Sequence, residues 1–546
     1  MKTREETLKF INSLAQDIKS AGGRSFYVGG CVRDEILNRP CDDLDIEIYG
    51  LEASKLSNVL SKYGKQEIIG NAFGVFNVHG YDVDISLPRK DNKTGLKHTD
   101  FDVVVDPYMS FEEATARRDF TMNAIMKDVL TGEFVDVQNG IEDIKNKTIR
   151  HVSNEHFTED PLRVLRATRF AAQLGFGIAE ETKQLCKTIE LKDLSPERIL
   201  TETNKALSSD KPSIYFEELK NMDQLKYWFK ELNDLVGLKQ NPDYHLEDAF
   251  EHTMMVVDEG AKNKIFAKEK LPFMFACLCH DLGKATKTDP VTFKTIEHEF
   301  DSEKLSEKML RRIKADNLTI KYVKELSRDH MEPGRLYNHL SADKKIIAML
   351  DKSSYPNDLL LIKKCDREGA IPGPKFSRRE DKEYDDWSCE AIEKFTKWKE
   401  KPHLKGEDLI AVGLKQGKEI GDILDRERKL EYSNSLEDAI RIVQKEFKIP
   451  KEKINAILES KGLLKETREA KMLQNYQSCG YCLNEKSENL TIREIVIKAD
   501  SEIMKDFNKS GKDADEYFEF LKEKLGDNAL KHQMILDNIE KYKSRG

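Results

Sequence analysis

The chain has 546 residues, long enough for several domains, because one hydrophobic core rarely grows past roughly 250–300 residues. A net charge of −9 argues against a wholly basic nucleic-acid binder, although a local basic cleft can sit on an acidic protein. No apolar run approaches the ~20 residues of a membrane span, the charged start Met-Lys-Thr-Arg-Glu-Glu lacks a signal-peptide apolar region, and nine scattered cysteines, an odd number, point to reduced thiols in a cytosol.

The first third mixes strand-like and helix-like segments. An apolar run, Phe26 to Val28, stops at Gly29-Gly30, where glycine lets backbone N–H groups approach a phosphate. Cys31-Val32-Arg33-Asp34 then opens a helix whose N-terminus favours anions. Asp43, Leu44, Asp45 and Ile46 alternate as a strand does, so both aspartates are expected on one face, close enough to share hard divalent cations such as Mg²⁺. Cys41-Asp42 adds a further carboxylate just before them. Strands are also predicted at Leu44 to Tyr49, Val75 to His79 and Asp82 to Leu87. Asp84, near the end of the last, is either a third carboxylate of that site or simple alternation on a half-exposed strand. The basic, aperiodic stretch Leu87 to His98 reads as a loop.

Arg117-Arg118-Asp119-Phe120-Thr121-Met122-Asn123-Ala124 forms a second cluster. Arginine presents a donor fork to phosphate oxygens. Two adjacent arginines cannot both face one site, so one is expected to serve phosphate and the other to pair internally, with Asp119 as a candidate partner. Asn123 lies one turn on and can fix Asp119. A third cluster runs from Glu159 to Phe170. Asp160 is the expected N-cap and Pro161 suits the first turn. Arg163, Arg166 and Arg169 climb one slowly rotating face, while Leu162, Leu165, Phe170 and Leu174 form the apolar face. A carboxylate and a guanidinium one turn apart can meet a nucleobase edge; the alternative is a capped amphipathic helix with a basic outer stripe.

From Glu180 onward the chain reads almost entirely helical. His252, the string His280-Asp281-Leu282-Gly283-Lys284, His298, His330 and Asp366 supply imidazole and carboxylate ligands for one or two divalent metals. Cys479-Gly480-Tyr481-Cys482 has no second pair nearby, which argues against zinc.

In order, Gly-Gly-x-Val-Arg-Asp, Asp-x-Asp, Arg-Arg-Asp-Phe-Thr-x-Asn-Ala and Glu-Asp-Pro-Leu-Arg-x-Leu-Arg-Ala-x-Arg-Phe resemble bacterial class II CCA-adding tRNA nucleotidyltransferases and the related poly(A) polymerases. The likeness runs from about Phe26 to at least Gly417, including Ser195-Pro196-Glu197-Arg198 with Glu202, a supporting helix, and Gly406 to Gly417. It implies that Asp43 and Asp45 hold catalytic metal, that Gly30, Arg33 and one of Arg117 or Arg118 bind triphosphate, and that Asp160 and Arg163 pair with CTP or ATP. Arg166 and Arg169 would help hold the nucleotide and the helix. The stretch from Arg89 to His98 resembles a flexible loop needed for A addition. One departure is Asn139-Gly140 where the family has Gly-Gly; Asn tolerates the left-handed conformation, so the turn is expected to survive.

The histidine set resembles HD-domain phosphohydrolases. It implies metal at His252, His280, Asp281 and Asp366, with His298 and His330 completing a second site for a transition metal such as Ni²⁺ or Mn²⁺. The alternative is a retained tRNA-binding domain without turnover. The expected fold is an α/β nucleotidyltransferase head (a small mixed sheet with helices, 1–150), a helical neck (151–235), an HD domain (236–395), a helical segment (396–446) and an extra helical region (447–546). The expected function is addition of the 3′-terminal CCA to tRNA from CTP and ATP. Alternatives are A-tailing, A-only or CC-only addition, HD hydrolysis as the main activity, and tRNA binding by an inactive head.

Overall fold

A computed structural model of the chain describes residues 2–41, 43–69, 75–93, 101–374 and 381–463. Asp42, residues 94–100 of the basic stretch, the Cys479/Cys482 pair and everything after 463 lie outside that description. The head contains strands β1 (Arg24–Val28), β2 (Asp45–Tyr49), β3 (Gln66–Ile69), β4 (Val75–Val78), β5 (Asp84–Ser86), β6 (Arg89–Lys93), β7 (Phe101–Val105), β8 (Met126–Asp128) and β9 (Phe134–Val135). Seven of them form one mixed sheet in the order β3-β4-β5-β2-β1-β8-β9. Strand β2 is antiparallel to β1 and parallel to β5, with Val28 opposite Asp45 and Asp45 beside Asp84. The alternating apolar residues Phe26, Val28, Ile46 and Ile48 are buried in this sheet, as period-two patterning requires.

One expectation is corrected here. The basic stretch read as a loop begins with a strand, because Arg89–Lys93 pairs antiparallel with Phe101–Val105. Its partner lies downstream in an apolar run, so the ladder is not visible in the periodicity of the basic residues themselves. The Asn139 turn survives as expected: Asn139 has φ 59° and ψ 32°, and the Asp136 carboxylate accepts from the N–H groups of Gly140 (2.7 Å) and Ile141 (2.8 Å).

The neck helix Leu162–Leu174 packs against Pro196–Leu207 and Ser213–Asn221. It starts one residue later than read from the sequence, with the Asp160 carboxylate accepting from the Leu162 N–H at 3.1 Å. Tyr215, Phe216 and Phe229 form a T-shaped aromatic cluster beneath. Helices from Ala249 to Lys399 then surround Lys270–Cys279, whose residues from Phe273 to Cys279 are all buried. A helix apolar on every side belongs at the centre of a domain. Among the described residues no helix is long and apolar enough to cross a membrane.

The described residues divide into two compact units, one ending at Glu400 and one beginning at Lys401. In the second, helices Gly406–Ala411, Lys418–Glu431, Leu436–Glu446 and Lys451–Ser460 share one core. Leu409, Ile423, Ile440 and Val443 pack there with Ile454, Ile457 and Leu458. Helix Asp381–Lys399 runs across the position of the expected 395/396 boundary, and this core takes residues from both sides of 446/447.

Within that core Glu427 is buried, and its Oε1 has no hydrogen-bond partner. Burial, reinforced by nearby Glu431, pushes its pKa up to about 8. The folded state then holds a proton that the unfolded state releases near pH 4.5, so stability falls as pH rises from about 5 to 8, with a slope of at most about 1.4 kcal/mol per pH unit. Hydrogen-exchange protection of residues 418–446 in the full chain, corrected for intrinsic rates, should fall over this window. Glu427→Gln should flatten the dependence.

Candidate active site

The head site is assembled at the ends of β1, β2 and β5. Asp43 is exposed just before β2, Asp45 is half-buried at its first position, and Asp84 is exposed at the start of β5. Parallel pairing sets Asp84 directly beside Asp45. Burial, together with the charges of Asp43 and Asp84, lifts the Asp45 pKa to about 6 against the opposing pull of Arg118. Gly29, at φ 77°, turns the chain out of β1. A Cβ there would lie 3.4 Å from Asp45 Oδ2 and 3.6 Å from an Arg118 guanidinium nitrogen. Glycine thus leaves an open floor between a carboxylate and a cation.

The two adjacent arginines make different contacts. Arg117 donates to Glu47 Oε1 at 2.9 Å, not to Asp119. Arg118 comes only to 3.8 Å of the same oxygen and flanks Gly29. Asp119 is buried and accepts from the Phe120 N–H (2.8 Å), Asn123 Nδ2 (2.9 Å) and Arg166 Nε (2.7 Å). Although burial works to raise it, Arg166 and Asn123 hold the Asp119 carboxyl below its usual range.

Arg33 is engaged inside the head. Its buried guanidinium grips Asp34 through Nε and one terminal nitrogen (both 2.9 Å), and the other terminal nitrogen donates to Asn123 Oδ1 at 2.8 Å. These bonds brace the turn, and a Cβ on Gly30 would lie 3.5 Å from the guanidinium. Asp119 and Asn123 likewise act within this buried network. Arg169, also buried, bonds to Glu202 (2.5 Å) and lies 3.7 Å above the Phe170 ring. Arg166 and Arg169 therefore hold the helix. Asp160 accepts from Arg198 at 2.7 Å, so the helix that begins at Pro196 bonds directly to the start of the neck helix. The terminal nitrogens of Arg163 donate to the carbonyls of His156 and Arg117, both at 2.7 Å, and each keeps a second N–H. Arg89 opens β6.

The histidine cluster converges on Asp281. One Asp281 oxygen lies 3.1 Å from His280 Nε2 and 3.4 Å from His252 Nε2; the other lies 3.0 Å from His298 Nε2 and 3.6 Å from His330 Nε2. Asp366 approaches His252 Nε2 at 3.0 Å and His280 Nε2 at 3.8 Å. His330 Nε2 and His298 Nδ1 are buried without a hydrogen-bond partner, and Nε2 of His280 and of His298 meets Asp281 at short range without hydrogen-bond geometry. Buried polar atoms normally find partners, so this donor set fits cations bridged by Asp281. Burial pushes the His330 pKa down to about 4, which keeps its imidazole neutral, as a ligand must be. Among the described residues the three groups whose ligand atoms lie within 4.8 Å of one another all belong to this domain. The head carboxylates are a more open set.

A cavity of about 660 Å³ opens onto Asp281, His298 and Asp366, with Lys284 and Lys363 on its wall. Lys284 lies 2.6 Å from Asp281 and Lys363 2.5 Å from Asp366. Sequence reasoning missed Glu47, Lys363 and Glu247. Glu47 continues the every-second-residue spacing of Asp43 and Asp45, a signal that was available. Glu247 lies 3.4 Å behind His252 Nδ1, and Lys363 stands three residues before Asp366 on one helix, a spacing that was also available.

Comparison with known proteins decides the family. The Multifunctional CCA protein of Mannheimia succiniciproducens is 38% identical over 315 residues, 56% of this chain and 72% of that protein. The chain belongs to the multifunctional CCA protein family. The Actinobacillus pleuropneumoniae serotype 5b member is 36% identical over 297 residues, 53% of this chain and 71% of its own length. Family models match as the poly(A) polymerase head domain at 25–150, as "Probable RNA and SrmB- binding site of polymerase A" at 175–235, and as the HD domain at 250–370. The Bacillus stearothermophilus CCA-adding enzyme in complex with CTP shares the fold at 22% identity and a TM-score of 0.54, over 82% of this chain and all of that one. The Thermotoga maritima CCA-adding enzyme complexed with tRNA matches at 17% identity and a TM-score of 0.54, over 82% of this chain and 96% of its own.

Gly283 makes the His298 approach feasible: a Cβ there would meet the His298 carbonyl oxygen at 2.0 Å. Gly283→Ala should push the helix that starts at His298 away from Asp281. Loss of about 1–3 kcal/mol of stability is expected from the overpacking, read as a lower thermal midpoint, together with reduced bound metal by elemental analysis.

Proposed function

We propose that this chain adds the 3′-terminal CCA to tRNA from CTP and ATP, releasing pyrophosphate. The observation that carries the reading is the cluster of Asp43, Asp45 and Asp84 against the Gly29 turn and Arg118, in a chain of this family. The triphosphate would lie over Gly29 and Gly30, where N–H groups point out of the turn, with Arg118 countering its charge. Asp160 and Arg163 would present an acceptor and donors to the edge of the incoming base. Both are fixed from behind, by Arg198 and by the His156 and Arg117 carbonyls. The RNA ribose hydroxyl attacks the α-phosphate and pyrophosphate leaves. Mg²⁺ held by Asp43 and Asp45 would activate the hydroxyl and neutralise the leaving group. Poly(A) synthesis is the competing reading within the same site.

The test is incubation of the full chain with labelled CTP or ATP and tRNAs ending short of A, CA or CCA. Stepwise restoration of all three ends supports the proposal; A addition alone, or extended A tails, overturns it. Asp45→Asn should lower the rate roughly a thousandfold or more, about 4 kcal/mol of barrier, with an unchanged thermal midpoint.

A second reading applies to the other site. The orphaned imidazole nitrogens around Asp281, opening on a cavity with two lysines, support a metal-dependent phosphohydrolase, with Ni²⁺ or Mn²⁺ suited to the imidazole donors. Replacing His280 and Asp281 together by Ala should abolish bound transition metal and phosphoester hydrolysis. Nucleotide addition by the same preparation should stay within about twofold, because the head uses carboxylates and not imidazole.

A further inference from the structure

Glu47 is the one carboxylate of β2 that the proposed chemistry leaves unused. It is 1% exposed, two residues after Asp45, between the buried apolar residues Ile46 and Ile48. A carboxylate in that position carries a desolvation cost, and an apolar residue of similar volume often serves stability as well or better. Its partners all concern the catalytic end of the head. Oε1 accepts from Arg117 at 2.9 Å and lies 3.8 Å from Arg118; Oε2 accepts from the Tyr49 hydroxyl at 2.9 Å. The backbone carbonyl of Arg117 in turn accepts from Arg163 at 2.7 Å. One buried charge therefore links the strand carrying Asp45, the pair Arg117-Arg118 that follows Phe111–Ala116, and the guanidinium assigned to the base.

We infer that Glu47 is a positioning residue for nucleotide binding: by fixing Arg117 and attracting Arg118, it holds the Arg118 guanidinium beside Gly29 and Asp45, where a nucleoside triphosphate's phosphates are received. The inference rests on the nucleotidyltransferase reading of the head. Glu47 touches neither the phosphates nor the reacting atoms. It neutralises Arg117, so that one cation of the pair is spent internally, and it limits the swing of the other. A neutral amide of the same size would keep a hydrogen-bond acceptor for Arg117 but lose the pull on Arg118, which is charge alone at 3.8 Å.

The test compares the full-length chain with its Glu47→Gln, Glu47→Asp, Arg118→Ala and Glu47→Gln/Arg118→Ala variants. Equilibrium binding of CTP and ATP with Mg²⁺, steady-state addition and thermal midpoint are measured on each. Glu47→Gln should raise Kd and KM for both nucleotides about tenfold, by the same factor, with the tRNA KM unchanged. Glu47→Asp should recover most of the loss. The double variant should bind no more weakly than Arg118→Ala alone, because both changes act through one guanidinium. Unchanged nucleotide affinity in Glu47→Gln overturns the inference. So does an additive double variant, or an equal loss of tRNA affinity with a lowered thermal midpoint, which would mark a structural role only. A wild-type chain that binds neither nucleotide overturns the functional reading of the head, and this inference with it.

Discussion

The catalytic end of the head hangs on one buried carboxylate, Asp119. Alone in an apolar interior it would be costly. Here the Phe120 N–H, Asn123 and Arg166 keep it charged. From Asp119 the network runs one way through Asn123 to Arg33 and Asp34, at the turn that follows β1. The other way it runs through Arg166 into the helix Leu162–Leu174. Phosphate turn, central motif and arginine helix are thus one hydrogen-bonded body. Removing Arg166 would leave the buried Asp119 charge without its cation, a loss of about 3–5 kcal/mol. That accounts for the density of polar residues between Arg117 and Asn123, where a chain building only a core would place apolar ones.

Much of this was legible in the residues before any coordinates. The Gly29-Gly30 turn, the strands of the sheet centre, the amphipathic helix with its three arginines and the histidine ligands all carry local signals: glycine punctuation, alternation, or spacing along a helix. What the sequence does not carry is who pairs with whom across the fold. Arg33 resembles a phosphate ligand in one dimension and also braces the turn in three, because Asn123 is folded back onto it. Arg117 takes Glu47, and β6 finds its partner beyond a break in periodicity. The unit beginning at 401 follows the same rule: Ile449 to Leu458 join the core of Leu409 and Ile423, and nothing in composition marks that shared core.

The two chemical centres differ in how they are built. The head carboxylates come from strand ends and a strand register, with Asp43 and Asp84 exposed and Asp45 half-buried, an all-oxygen set of the kind that suits a hard cation. The histidines come from separate helices and meet in a buried cluster around one aspartate, where imidazole donors dominate. Their pKa shifts follow suit. Asp45 is lifted by burial and like charges, whereas Asp281 and Asp366 are held well below the carboxylate range by neighbouring imidazoles and lysines, against the effect of burial.

The imidazoles of that cluster are wired by their own helices. His280 Nδ1 donates to the Cys277 carbonyl and His330 Nδ1 to the Ser327 carbonyl, both at 2.8 Å and both three residues back. A carbonyl can only accept, so each ring's tautomer is set before any ion arrives, and its lone pair is left on Nε2. A cation entering the cluster would find both Nε2 atoms already preorganised by helix geometry. The two helices that end at these histidines, and not the ion, set which ring atom of each faces Asp281.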